Sequence, residues 1–155
     1  MYNTVSLELA KKLKEACWKK AGIFVYDNEE TIENLQGYLY LKGEYKLKEL
    51  RDIKRMHDDI IYAPQLHDIL EELKKIKSKN GHNFKIDFFP TLELCYTGNG
   101  NWHTWYVGTR DENDDLQNTK SEILAGSERC DQNPHDAAAL LWIWCVENGY
   151  ILLNK

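Results

Sequence analysis

The sequence predicts an α+β fold: a single domain spanning residues 1–155, with a four- to five-stranded antiparallel sheet and helices packed mainly on one face. Three observations predict it. Residues 133–149 spell out a helix with both ends marked. Period-two stretches lie on either side of Gly98-Asn99-Gly100. A four-residue apolar repeat opens the chain. Strand pairs joined by local turns and kept apart from helices imply α+β rather than a parallel sheet. The chain has 155 residues, 43% of them hydrophobic and 29% charged, which suits one domain with a real core.

At the N-terminus Val5, Leu9, Leu13 and Cys17 recur every four residues, with Lys11, Lys12 and Lys14 between them. That spacing predicts an amphipathic helix from about Thr4 to Lys19. Ile23-Phe24-Val25-Tyr26 reads as a strand, Asp27-Asn28-Glu29-Glu30 as a polar break, and Gly37 to Leu41 as a second strand pairing with the first across a long loop. Leu47, Leu50, Ile53 and Met56, every third residue, mark a charged helix within Lys46–Asp59. Ala63-Pro64 opens a further helix whose stripe is Leu66, Ile69, Leu70, Leu73 and Ile76, closed by Ser78-Lys79-Asn80-Gly81.

Phe84, Ile86 and Phe88 alternate with charged residues, Pro90 interrupts them, and Leu92, Leu94 and Tyr96 resume the alternation. Gly98 and Gly100 supply a tight turn. The returning strand, Asn101 to Thr109, places Trp102, Thr104 and Tyr106 on one face and His103, Trp105 and Val107 on the other. Residues 110–130 read as a long acidic loop. In the last helix Asn133 caps the first turn, Pro134 needs no N–H there, Asp136 faces the positive end of the dipole, and Asn148-Gly149 makes the stop. With two tryptophans and almost no charge, this helix belongs in the core.

The net charge is −5, divided as +2 over residues 1–85 and −7 over residues 86–155. The acidic half repels phosphates, so nucleic acid is disfavoured as a partner. The lysines of the first half interleave with acids, as solvated helix faces do. No apolar run reaches the ~20 residues of a membrane helix, and the first residues lack the pattern of a secretion signal. The four cysteines form no C-x-x-C pair and read as reduced thiols. These features lead us to expect a cytoplasmic protein.

Thr4 to Ala16, Ala63-Pro64 with Leu66-x-x-Ile69-Leu70-x-x-Leu73, and Pro134-x-x-Ala137-x-x-x-Leu141-Trp142-Ile143-x-x-x-Glu147-Asn148-Gly149 resemble landmarks of small proteins encoded by phages and prophages. The likeness covers only part of the chain. It departs from the usual pattern around Lys46–Asp59 and in the acidic stretch after Arg110. It implies an accessory protein of a mobile element, working inside a bacterial host, and that group lends no catalytic residues to carry over.

No catalytic constellation stands out. His57-Asp58, His67-Asp68 and His135-Asp136 have residue types that hold divalent metals, but Asp68 and Asp136 sit where helix dipoles already account for them. Cys130, His135 and Asp136 have the composition of a nucleophile, base and orienting carboxylate without any sign that they meet. No phosphate-cradling glycine loop is present. We therefore expect no metal, no cofactor and no enzyme activity. The candidate ligand- or partner-binding residues are Trp102, His103, Trp105, Tyr106 and Arg110 on the hairpin, where aromatics beside an arginine suit stacking or anchoring. The expected partner is a host or defence-system protein. The alternative is a nucleotide-like small molecule that the protein sequesters, possible at a homo-oligomer interface. A metal-dependent hydrolase ranks last.

Overall fold

The computed structural model describes residues 3–75, 91–96, 98, 100–111, 119–123 and 128–151, with only the backbone described at 91–93, 95, 105–111 and 119–123. In chain order the elements are α1 (Leu7–Glu15), β1 (Phe24–Asn34), β2 (Gly37–Glu49), a 3-10 turn (Leu50–Asp52), β3 (Ile61–Ala63), α2 (Leu66–Lys74), β4 (Thr91–Tyr96), β5 (Trp102–Asp111), β6 (Thr119–Ile123), β7 (Arg129–Asp131) and α3 (Pro134–Glu147). The class is α+β with antiparallel pairing.

The described strands divide between two sheets, where the sequence leads us to expect one. The first has the order β2-β1-β3. In the second, β4 lies on one side of β5, and β6 and β7 share the other side at opposite ends. The helices lie between them: α1 packs on β3, α3 packs on β5 and β7, and both α1 and α2 touch α3. This placement explains why α3 has no polar face. Ala137, Ala138, Ala139, Leu141, Trp142 and Cys145 are all buried, as expected of a helix covered on several sides. Its N-terminus follows the sequence: the Asn133 side chain accepts from the His135 amide at 3.0 Å, Pro134 follows, and Gly149 adopts φ +67° at the stop. Thr104 ties β5 to α3 by donating to the Ala137 carbonyl at 2.8 Å, fully buried.

α1 is shorter than its apolar repeat suggests. Ser6 caps it, and Val5, Leu9 and Leu13 enter the core. Cys17 does not: it is exposed and takes the left-handed stop position, φ +65°, normally a glycine's. The chain then reverses, with the Trp18 amide on the Leu13 carbonyl at 2.9 Å, so that Trp18 meets Trp142 edge to face at 4.9 Å.

The largest correction lies in residues 24–59. Asp27–Glu30 is not a break but a bulge, with the register shifting between Asp27 and Glu29. β1 continues to Asn34 and turns through two residues, Leu35 and Gln36, rather than a long loop. β2 then runs to Glu49, so the helix expected within Lys46–Asp59 is absent. A spacing of three fits a helix, but Leu39, Leu41, Tyr45 and Leu47 also alternate. The cross-strand hydrogen bonds of β1 decide in favour of the strand. The expected loop 110–130 is also partly strand, because β5 reaches Asp111 and pairs with β6. α2 ends at Lys74 with Lys75 as its cap, short of the stop expected at Ser78–Gly81, and the expected strand at Phe84–Phe88 lies outside the described residues.

Candidate functional site

β3 accompanies β1 only as far as Tyr26, which pairs with Ile61. Beyond that point β1 has β2 alone, and the two strands project as an arm. From Glu29 to Asn34 the extended rise of ~3.4 Å per residue carries the arm ~17–20 Å outward. Leu39, Leu41, Tyr45 and Leu47 alternate along β2 and share a face with Tyr26, the register partner of Leu47. Tyr26 is buried, its hydroxyl donating to the Val5 carbonyl at 2.9 Å. Tyr45 packs against the core and lies under the Lys11 ammonium, 5.0 Å from its ring centre. Farther out the cover thins, although Glu30, the register partner of Leu41, lies on this face over Gly43. Leu39 and its partner Ile32 are 50% and 47% exposed, Leu41 is 43% exposed, and Leu35 at the tip is fully exposed. The arm therefore extends a core-type face past the helices that would bury it.

Tyr38 and Tyr40, at the alternate positions of β2, meet cations from the segment after the 3-10 turn. Lys54 Nζ is 4.5 Å from the Tyr38 ring centre, and the Arg55 guanidinium is 5.8 Å from that of Tyr40. Among the described residues neither cation has a carboxylate partner. This segment and the arm enclose an open cleft of about 560 Å³, where Tyr40, Lys54 and Arg55 share the walls with the carboxylates of Asp27, Glu29, Glu30 and Asp52.

The bulge anchors a polar cluster at the root of the arm. Asp27, 5% exposed, accepts from Lys48 Nζ at 2.5 Å, the Glu29 amide at 3.1 Å and His57 Nε2 at 2.9 Å. Burial pushes its carboxyl upward, but the Lys48 ammonium, the Glu29 amide and the His57 ring together outweigh burial and hold it below the ordinary carboxylate value. His57 Nδ1 is buried with no hydrogen-bond partner.

Of the sequence candidates, Trp102 is half-buried and meets the exposed Tyr96 edge to face at 5.3 Å. His103 Nδ1 lies 2.9 Å from Glu128 Oε1. Trp105, Tyr106 and Arg110 belong to β5 by backbone, and their side chains lie outside the described residues. The three His-Asp dipeptides form no common centre. His57 turns to Asp27 rather than Asp58. Asp68 accepts from the Gln65 amide at 3.0 Å at the start of α2, and Asp136 accepts from the Ser6 amide at 2.7 Å. His135 Nδ1 is 2.9 Å from Asn133 Oδ1, and burial lowers its basicity. Cys130 is exposed and pairs in register with His103, not with His135. Among the described residues no three His, Cys, Asp or Glu side chains are placed to hold a metal ion, and no helix is long and apolar enough to cross a membrane.

The arm and its root were missed in the sequence because Asp27 and His57 are 30 residues apart. One signal was available, the alternation from Leu39 to Leu47. No protein-family model, curated protein or solved structure matches this chain.

Proposed function

We propose that this chain is a non-enzymatic accessory protein of a mobile element that binds a host or defence-system protein, with the projecting arm as its principal contact. The observation that carries this reading is the half-exposed apolar row of Ile32, Leu39 and Leu41 along the arm, with Leu35 fully exposed at its tip. Apolar residues left exposed side by side on a folded surface are a common mark of an interaction site. The edges of the arm also offer unpaired backbone groups to a partner strand. Leu39→Glu with Leu41→Glu tests the reading. Affinity capture from a bacterial lysate, with thermal denaturation and light scattering in parallel, is expected to show a partner retained by the wild type and lost by the double variant, with unchanged melting. Identical partner lists for the two proteins would remove the arm from the interface. Partner-free wild type with an arm-dependent dimer would replace the foreign partner with a second copy.

The 560 Å³ cleft favours a second reading, sequestration of a nucleotide-like molecule. Lys54 and Arg55 would meet its phosphate and Tyr40 its ring. A thermal-shift screen against nucleotides tests it. A ligand at 100 times its Kd adds about 2.7 kcal/mol of stability, so a flat screen dismisses this reading.

A further inference from the structure

We infer that the arm pairs with a second copy of this chain, edge to edge through β2, so that the two three-stranded sheets join as one in the order β3-β1-β2-β2-β1-β3. The inference concerns the edge of the arm and stands apart from the foreign partner proposed for its face. β2 ends its sheet, and among the described residues its outer edge has no backbone partner. Leu35 and Gln36 alone join Asn34 to Gly37. In such a hairpin the closing pair is hydrogen-bonded and the pairs alternate from there, so Tyr38, Tyr40 and Lys42 turn their N–H and C=O groups outward. Beyond Lys42 the register shift sets Gly43–Tyr45 against Asn28 alone. Those extra residues bend β2 and end its straight edge.

Pairing about a two-fold axis uses all three outward residues when Tyr40 lies on the axis. Tyr40 then exchanges hydrogen bonds with its copy, and Tyr38 does so with Lys42 of the other chain. Leu39 faces Leu41 of the other chain as a non-hydrogen-bonded pair, the kind whose side chains lie closer. The exposed Leu35 at each tip reaches the Gly43–Tyr45 bend of the other copy. Charge selects this edge over that of β1. The open stretch of β1 carries Glu29, Glu30 and Glu33, of which Glu30 alone has a lysine partner, Lys46. Joining two copies there crowds like charges, which destabilises a strand pair. Along Tyr38–Lys42 the one charge is Lys42, balanced by Asp59 at 2.5 Å and set against the Tyr38 ring of the other copy. One repulsion remains, because Arg55, beside the Tyr40 ring, approaches its copy across the axis. Salt screens it.

Sedimentation equilibrium of the full chain, run at low and high salt, is expected to show a reversible dimer that tightens with salt and no larger species. Tyr40→Pro deletes an outward N–H and none that serves β1, as prolines on strand edges do, and should weaken the dimer at least about tenfold. Tyr40→Thr keeps that N–H and should retain the dimer. Amide exchange of the wild type reads the register even if the proline variant fails to fold: Tyr38, Tyr40 and Lys42 are expected to gain protection with concentration, and Leu39 and Leu41, already bonded to β1, are not. A wild type that stays monomeric up to its solubility limit would overturn the inference. So would open-ended polymers, a dimer loosened by salt, or protection that does not rise at Tyr40. Tyr40→Pro leaves Leu39 and Leu41 in place, so lysate capture by this variant reads the face separately from the edge.

Discussion

Asp136 offers the sharpest test of how the helices are joined. Its carboxylate lies in the first turn of α3 and accepts from the backbone amide of Ser6, the residue that caps α1, at 2.7 Å. One side chain thus serves two helix N-termini, where a negative charge is favoured. Burial opposes that charge: Asp136 is 6% exposed, and desolvation lifts its pKa above the ordinary carboxylate value despite the Ser6 and Asn133 hydrogen bonds. The acceptor atom therefore matters more than the charge. Asp136→Ala removes the acceptor and strands the Ser6 amide, at a cost of about 1.5–3 kcal/mol. For a chain of this length each kcal/mol moves the melting temperature by roughly 2–4 °C, so a fall of about 3–12 °C is expected. Asp136→Asn keeps an oxygen in place and should stay within about 1 kcal/mol of the wild type at neutral pH. The sign with pH follows from the raised folded-state pKa. Asp136 contributes stability that is fully present below its unfolded pKa and is lost as the pH rises through the folded one. The Asn variant lacks this titration and should gain on the wild type across that interval. Thermal denaturation of the three proteins over a pH series measures all of this. An Asn variant as unstable as the Ala variant, or a pH-independent difference between Asn and wild type, would refute the reasoning.

Three further outcomes follow from the same geometry. Trp142→Ala removes the indole that meets Trp18 at 4.9 Å in the core and should cost about 3–5 kcal/mol in denaturant unfolding; a loss below 1 kcal/mol would mean that the site collapses without consequence. Cys17→Gly relieves a left-handed residue at φ +65° with an exposed side chain; it should stabilise the protein by about 0.5–1 kcal/mol, and a lower melting temperature would contradict this. Asp27→Asn flattens the acid limb of the stability curve. The depressed carboxyl contributes stability that is present above its ordinary value and lost as the pH falls through the folded one, so the variant should be weaker than the wild type at neutral pH and converge on it in acid. Parallel acid limbs would argue against an ionised Asp27.

What was legible in the sequence shares one property: each signal is completed within a few residues. α3 carries its own cap, its proline and its glycine stop, and the wide apolar coverage of its surface already says that it is buried on more than one side. The α1 stripe of Val5, Leu9 and Leu13 and the Ala63-Pro64 start of α2 are equally local. The alternation of Leu92, Leu94 and Tyr96, followed by the Gly100 turn, is of the same kind. Leu47, Leu50, Ile53 and Met56 show where local reading stops, because a spacing of three suits a helix, whereas β1 claims the backbone as far as Leu50 and the chain beyond makes only a 3-10 turn.

The sequence by itself thus determined both ends of α3, the apolar stripes of the helices and the α+β class, since all of these rest on contacts between near neighbours along the chain. Only the tertiary structure decided that the described strands form two sheets around a helical layer and that β1 and β2 outrun their cover. It alone brought His57 onto Asp27 and Ser6 onto Asp136, 130 residues apart. Those contacts depend on which surfaces meet once the helices are packed, and no periodicity within a single segment encodes that choice.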